Sequence, residues 1–257
     1  DPKSRVLPEK SVTHACFSIG CDRNQKAMSG IYLTLVAIAT KKFVTLVWKL
    51  EMRVSKEKAA ENRHALLQAA SRLFRKRGID GVGVAEVAKE AGLTHGALYA
   101  HFSSKDELAA AAFSHGFAGN MADTRAWAGD RSPTFEEYLA GYLSADMRDR
   151  VETACPMAAS ASEVGRQDSA VSASFTRAFE EMAATLQRSL ETTIPASERR
   201  RLAVAAVAAE IGAIAASRAI AKTDVALADE VLRAVRETLG LAHKAQATGV
   251  EQAAASV

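Results

Sequence analysis

The chain has 257 residues, 48% hydrophobic and 25% charged, with a formal net charge of +3. This is an ordinary soluble composition, long enough for a real core and for one or two domains. Its three cysteines, Cys16, Cys21 and Cys155, make neither a disulfide framework nor, with His14, a metal site at a recognised spacing; a reducing cytosol is expected, with no metal and no cofactor.

Charge is unevenly spread. Residues 1–55 hold nine Lys/Arg against four Asp/Glu, residues 56–108 nine against seven, and residues 109–257 fifteen against nineteen. A basic front and an acidic rear fit an N-terminal part that meets a polyanion. The most apolar run, Ile31 to Leu50, is broken by Lys41 and Lys42. Neither half approaches the roughly 20 residues of a bilayer span, and no signal peptide is recognisable. Its β-rich pattern suits a strand or hairpin. "MRVSKEKAAENR" from Met52 reads as a natural start, so residues 1–54 are expected to be a poorly ordered extension without functional residues.

From Lys56 to Arg77 the apolar residues recur at helical spacing: Ala60, Leu67, Ala70 and Phe74, flanked by Ala59, Leu66 and Leu73. Gly78 is placed to end this helix. Val84, Val87 and Ala88 then give the inward face of a short helix that ends at Ala91. Gly92 takes the turn, where a left-handed backbone costs little without a Cβ. Leu93 tucks back, Thr94 caps the next helix, and Leu98 is its buried position. That spacing is a helix-turn-helix. The outward residues of the second helix, His95, Gly96, Ala97 and Tyr99, are small or able to hydrogen bond, as entry into a major groove requires. Tyr99 and His101 can bond phosphates or base edges, and Lys105 adds a cation at the same rim.

"GIDGVGVAEVAKEAGLTHGALYAHFSSKDELAAAAF" resembles the DNA-binding domain of the TetR family of bacterial transcriptional repressors, over about residues 56–113. The resemblance implies an all-α chain: a three-helix helix-turn-helix domain over 55–102, a helical effector-binding and dimerisation domain over 103–245, and a flexible tail over 246–257. It implies a cytoplasmic, homodimeric regulator, a repressor that binds a palindromic double-stranded DNA operator and answers to a small molecule. Carried over by motif position, Thr94 and Tyr99 contact phosphates, His95 and Ala97 lie in the groove, His101 approaches backbone or base, Lys105 clamps the rim and Arg63 reaches the backbone. The sequence departs from the family at Gly83 and Ala85, where a capping Thr or Ser and a polar neighbour are usual.

Beyond the head, Ser103-Ser104 before "KDEL" opens a helix running through Phe113 and Phe117 toward Trp127. Ser132 and Pro133 open another with Phe135, Tyr138, Leu139 and Tyr142 on its apolar side. Pro156 falls in a helix's first turn and Gly165 near its end. A helix from Asp168 to about Glu191 carries Val171, Phe175, Ala178, Phe179, Met182 and Leu186. The last two segments, "RLAVAAVAAEIGAIAASRAIA" and "VALADEVLRAVRETLGLA", are helices and not membrane spans. The resemblance makes them the dimer interface. Small Ala205, Ala208, Ala209, Gly212 and Ala216 permit close approach, and Val204, Val207, Ile211 and Ile214 add apolar area.

The expected effector is at least partly apolar, with candidate contacts at Phe117, Trp127, Tyr138, Tyr142, Met147, Cys155, Met157, Phe175 and Phe179. Two other readings stand beside this one: a hydrolase using Cys155, which lacks any catalytic motif, and a dimeric interaction protein that keeps the helix-turn-helix as scaffold.

Overall fold

The computed structural model describes residues 55–255, with side chains described through 248. The expectations placed on residues 1–54 lie outside the described residues. The chain divides into two units after Glu57, and the head and body both belong to the second, which begins at Lys58. Among the described residues there is no strand.

α1 is described over residues 55–77 and is followed by α2 (Val84–Glu90) and α3 (His95–Tyr99). Together they enclose a small core of Leu66, Phe74, Val87, Ala88, Leu98 and Phe102. α1 ends because Gly78 takes φ +81°, a conformation open to glycine, while its N–H still reaches the Phe74 carbonyl at 2.8 Å. α4 (Lys105–Ala128) leaves this head and enters the body. Its N-cap is Ser104, whose hydroxyl accepts the Glu107 N–H at 3.0 Å, while Glu107 accepts the Ser103 N–H at 2.7 Å. The hydrogen bonds to Ser103 hold Glu107 below the usual carboxylate range.

The body is built from α5 (Phe135–Tyr142), α6 (Ala145–Asp149), α7 (Pro156–Val164), α8 (Ser169–Ser189), α9 (Ala196–Ile220) and α10 (Val225–Ala255). Thr134 and Glu137 form a capping box at the start of α5. α6 has no counterpart among the elements expected from the sequence; five residues are too few to show a period. α10 continues as helix through Ala255, across the stretch from 246 where a flexible tail was expected. α9 is long and apolar enough to cross a membrane by length and composition. It nevertheless packs against both α8 and α10, with Leu202, Ala206, Val207 and Ile214 buried.

Head and body share side chains. Val164 of α7 and Val171 of α8 are buried in the head's core, and Phe175 packs against both cores. Arg75 of α1 donates to the Ala154 carbonyl at 2.8 Å, and Lys76 pairs with Glu152 at 2.5 Å. The Asp80 N–H donates to Glu163 at 2.9 Å. The head is therefore seated on α4, α7 and α8 together.

Candidate nucleic-acid interface and ligand cavity

The turn between α2 and α3 is assembled from local chemistry. Gly92 has φ +70°, and the Leu93 N–H bonds the Ala88 carbonyl at 2.9 Å. Thr94 is extended, and its Oγ1 accepts the Ala97 N–H at 3.2 Å, capping α3. Leu98 is 0% exposed and fixes which face of α3 turns inward; burying such a side chain contributes about 1.5–3 kcal/mol. The opposite face carries His95, Gly96 and Tyr99, all exposed, with Tyr99 at 48%. His95 and Tyr99 meet edge to face at 5.0 Å between ring centroids, so two hydrogen-bonding aromatics stand as one unit.

The remaining expected contacts are less free. Thr94 is exposed, and its hydroxyl hydrogen is left to donate. Ala97, His101 and Lys105 are half-buried. Arg63 is exposed, with its guanidinium 4.9 Å from the Phe102 ring centroid, which holds its stem against the head. Gly83 caps α2 without any side-chain bond. A Cβ at position 83 meets nothing within 4 Å, so a capping residue is sterically admissible there.

In the body, a cavity of 240 Å³ opens between α4, α5 and the α6 region. Trp127, Tyr138, Tyr142 and Met147 line it, four of the nine expected effector contacts. Trp127 is 51% exposed and meets Tyr138 edge to face. Tyr142 is buried; its hydroxyl donates to Asn120 Oδ1 at 3.1 Å, and burial pushes its pKa up. The other five do not line this cavity. Phe117, Cys155 and Met157 are buried in the body's core, and Phe175 and Phe179 pack against it. Phe175 and Phe179, four residues apart on α8, have the spacing of a core stripe. Burial pushes the Cys155 thiol up to about 11, the reverse of what activates a nucleophile.

The polar lining carries no mark in the sequence. Asn120, Asp123, Thr124 and Glu137 face the cavity beside the aromatics, as do Asp146 and Arg150. Asn120 and Asp123 also line a second cavity, of 460 Å³, between α1 and α4, together with Ser71, Arg75 and His115. Burial, with His64 and Arg75 nearby, holds His115 below its ordinary pKa. These residues sit apart in sequence or on polar faces, and only the crossing of the helices collects them. Among the described residues, no group of three or more His, Cys, Asp or Glu could hold a metal ion.

The described residues form a helix-turn-helix head on an all-helical body. Residues 66–112 match the model for the bacterial regulatory proteins of the tetR family. Over 57 residues the chain is 46% identical to the HTH-type transcriptional regulator TtgR of Pseudomonas putida, a span of 22% of this chain and 27% of that protein. It is 43% identical over 56 residues to the regulator AcrR of Shigella flexneri, covering 22% of this chain and 26% of AcrR. The chain thus spans about a quarter of the length of the curated relatives it matches.

Likeness to solved structures extends further. A TetR-family regulator from Agrobacterium tumefaciens aligns over 70% of this chain and 98% of its own at TM-score 0.55 and 22% identity. A TetR regulator from Legionella pneumophila aligns over 69% and 94% at TM-score 0.58 and 19% identity. The family match and the sequence relatives cover the head alone, and these solved structures, both under 25% identical, give head and body the same fold.

Proposed function

We propose that the protein is a ligand-responsive transcriptional regulator, a repressor acting in the cytoplasm as a homodimer on a palindromic operator. One observation carries the reading: α3 turns Leu98 inward and presents His95, Gly96 and Tyr99 outward, within the stretch that matches the family. Thr94 and Tyr99 bond phosphates, as does Arg63, and His95 with Ala97 faces the base edges. His101 and Lys105 border the same surface.

The dimer forms through α9 and α10. Ala205, Ala208, Gly212 and Ala216 recur on the exposed side of α9, while Val207 and Ile214 are buried within the protomer. The helix thus has one side for its own core and another for a symmetry mate. Leu227 and Leu241 of α10 are also exposed, as an unpartnered apolar face would leave them. The effector occupies the 240 Å³ cavity beside Trp127 and Tyr142, and α4 carries its influence to the head.

Selection of tight binders from random duplexes tests this directly. Inverted half-sites with centres about 34–36 Å apart, or a multiple, are expected, with affinity falling steeply as salt rises. Tyr99→Ala lowers binding to every selected duplex, whereas substitutions at His95 change which bases are chosen. Failure to retain any duplex at low salt would remove the proposal.

A further inference from the structure

The walls of the 240 Å³ cavity specify a ligand class narrower than "partly apolar", an inference that rests on the reading of this cavity as the effector site. We propose that it takes an aromatic monocation, with the charged group against the Trp127 ring and Asp123. Three observations converge.

The protein already places a cation of its own on that ring. The Arg131 guanidinium lies 5.2 Å from the Trp127 centroid, and its Nη1 donates to Glu137 at 2.8 Å. Indole is the strongest of the aromatic faces for this contact, and Trp127 leaves half its surface open. The carboxylates are also unevenly paired. Glu137 is held by Arg131, and Asp146 by Arg150 at 2.6 Å. Asp123, exposed and facing the same space, has no hydrogen bond or ion pair among the described residues. Asp123 thus leaves one carboxylate at this wall that is answered only by solvent; it repels an anion and attracts a cation beside the Trp127 ring.

Size and exit agree. At 240 Å³ the space is small for a ligand pocket and suits a one- or two-ring molecule. Arg131 also lines a neighbouring cavity of 350 Å³ that shares Thr124 and Tyr138 with the first. A displaced guanidinium therefore has polar space beside it. Arg131 is an internal stand-in that the ligand's charge competes with for Trp127.

The test is calorimetric titration of the full chain with benzyltrimethylammonium, benzyl alcohol and benzenesulfonate. The cation is expected to bind about tenfold or more tightly than the alcohol, and the sulfonate least. Asp123→Asn lowers cation affinity about tenfold and leaves the alcohol unchanged. Arg131→Gln raises cation affinity, a direction that loss of structure does not produce; unchanged circular dichroism checks both folds. Equal affinities for the three probes, no binding of the cation, or a fall on Arg131→Gln would overturn the assignment. If the cation binds as stated but operator affinity does not respond, the effector reading fails while the ligand class survives. If a neutral aromatic binds best and releases DNA, the ligand class fails and the effector reading survives.

Discussion

Glu210 sits at the centre of α9, 2% exposed, with both carboxylate oxygens lacking a hydrogen-bond partner among the described residues. Burial raises its pKa well above the ordinary carboxylate value, and it lies close enough to Tyr142 and Cys155 to push both of their pKa values up. A buried polar group without a partner costs about 1–3 kcal/mol, so Glu210→Met, which keeps the length and replaces the buried carboxyl by an apolar group, should stabilise the protein by about 2 kcal/mol at pH 7. With a urea dependence of about 2 kcal/mol per molar, the unfolding midpoint rises by about 1 M. The pH dependence has a definite sign. The carboxyl is protonated when folded and ionised when unfolded, so the unfolded state binds fewer protons. Stability therefore falls as pH rises above the unfolded value of about 4.5 and continues to fall up to the raised folded pKa. Glu210→Gln keeps an unpartnered polar group but cannot ionise, so it flattens this slope while recovering less stability than the methionine. Urea titrations of the three proteins from pH 5 to 8 decide the matter. A lower midpoint for the methionine variant, or an unchanged pH slope in the glutamine variant, would show that the carboxyl has found a partner and that the reasoning fails.

Three further outcomes are expected. Gly83→Thr fits an extended residue with open space at its Cβ and should stabilise α2 by a few tenths of a kcal/mol to about 1 kcal/mol, while tightening operator binding in gel-shift assays. His243 is buried between Glu136 and Glu191; burial alone would lower its pKa, but the hydrogen bonds to the two carboxylates outweigh it, and the net shift is upward. Its contribution to stability is therefore complete below about pH 6.5 and is lost as pH rises through the folded value, so His243→Gln should remove that part of the alkaline decline in melting temperature. Gly116 lets α1 approach α4 closely: a Cβ there would stand 2.4 Å from Ser71 Oγ. Gly116→Leu should wedge the two helices apart, lowering operator affinity without effector by about tenfold or more, which a salt-matched anisotropy titration would detect.

What the sequence disclosed was local. The helix-turn-helix was legible because Gly92, Thr94 and Leu98 each answer to a neighbour within a few residues, by a turn, a cap and a buried contact. Helix starts were less sharp: Ser104 and Thr134 carry the caps, each next to several other polar or turn-forming residues. The cavity was legible only by half. Trp127 and Tyr138, on two different helices, belong to it, while Phe175 and Phe179, four apart on α8, do not. Periodicity reports that a side chain turns inward and says nothing about what it meets. The sequence marked neither Asp123 nor Arg131, both exposed polar residues, and Glu210 is buried within an otherwise apolar stretch of α9.

In the proposed regulator, α4 is the element through which a small ligand would act on DNA binding. Its first turns are part of the head, with Leu108, Ala109 and Ala112 buried in that core, and its later turns supply Asn120, Asp123 and Trp127 to the cavity. Ala112 and Asp123 are separated by about 16 Å along one continuous helix, so in the proposed regulator a tilt at the cavity end would carry the head with it. Gly116 lies between them, where a Cβ would meet Ser71 and Arg75 of α1, so α1 and α4 pass close together there. The tilt is opposed at a second point, because Arg75 and Lys76 of α1 hold the segment at Glu152 to Ala154. A ligand that merely fills the cavity changes nothing unless it binds one tilt better than the other. The displacement of Arg131 proposed above would supply such a difference: it would exchange an internal cation, carried by the turn before α5, for one that leaves that turn free to move relative to α4.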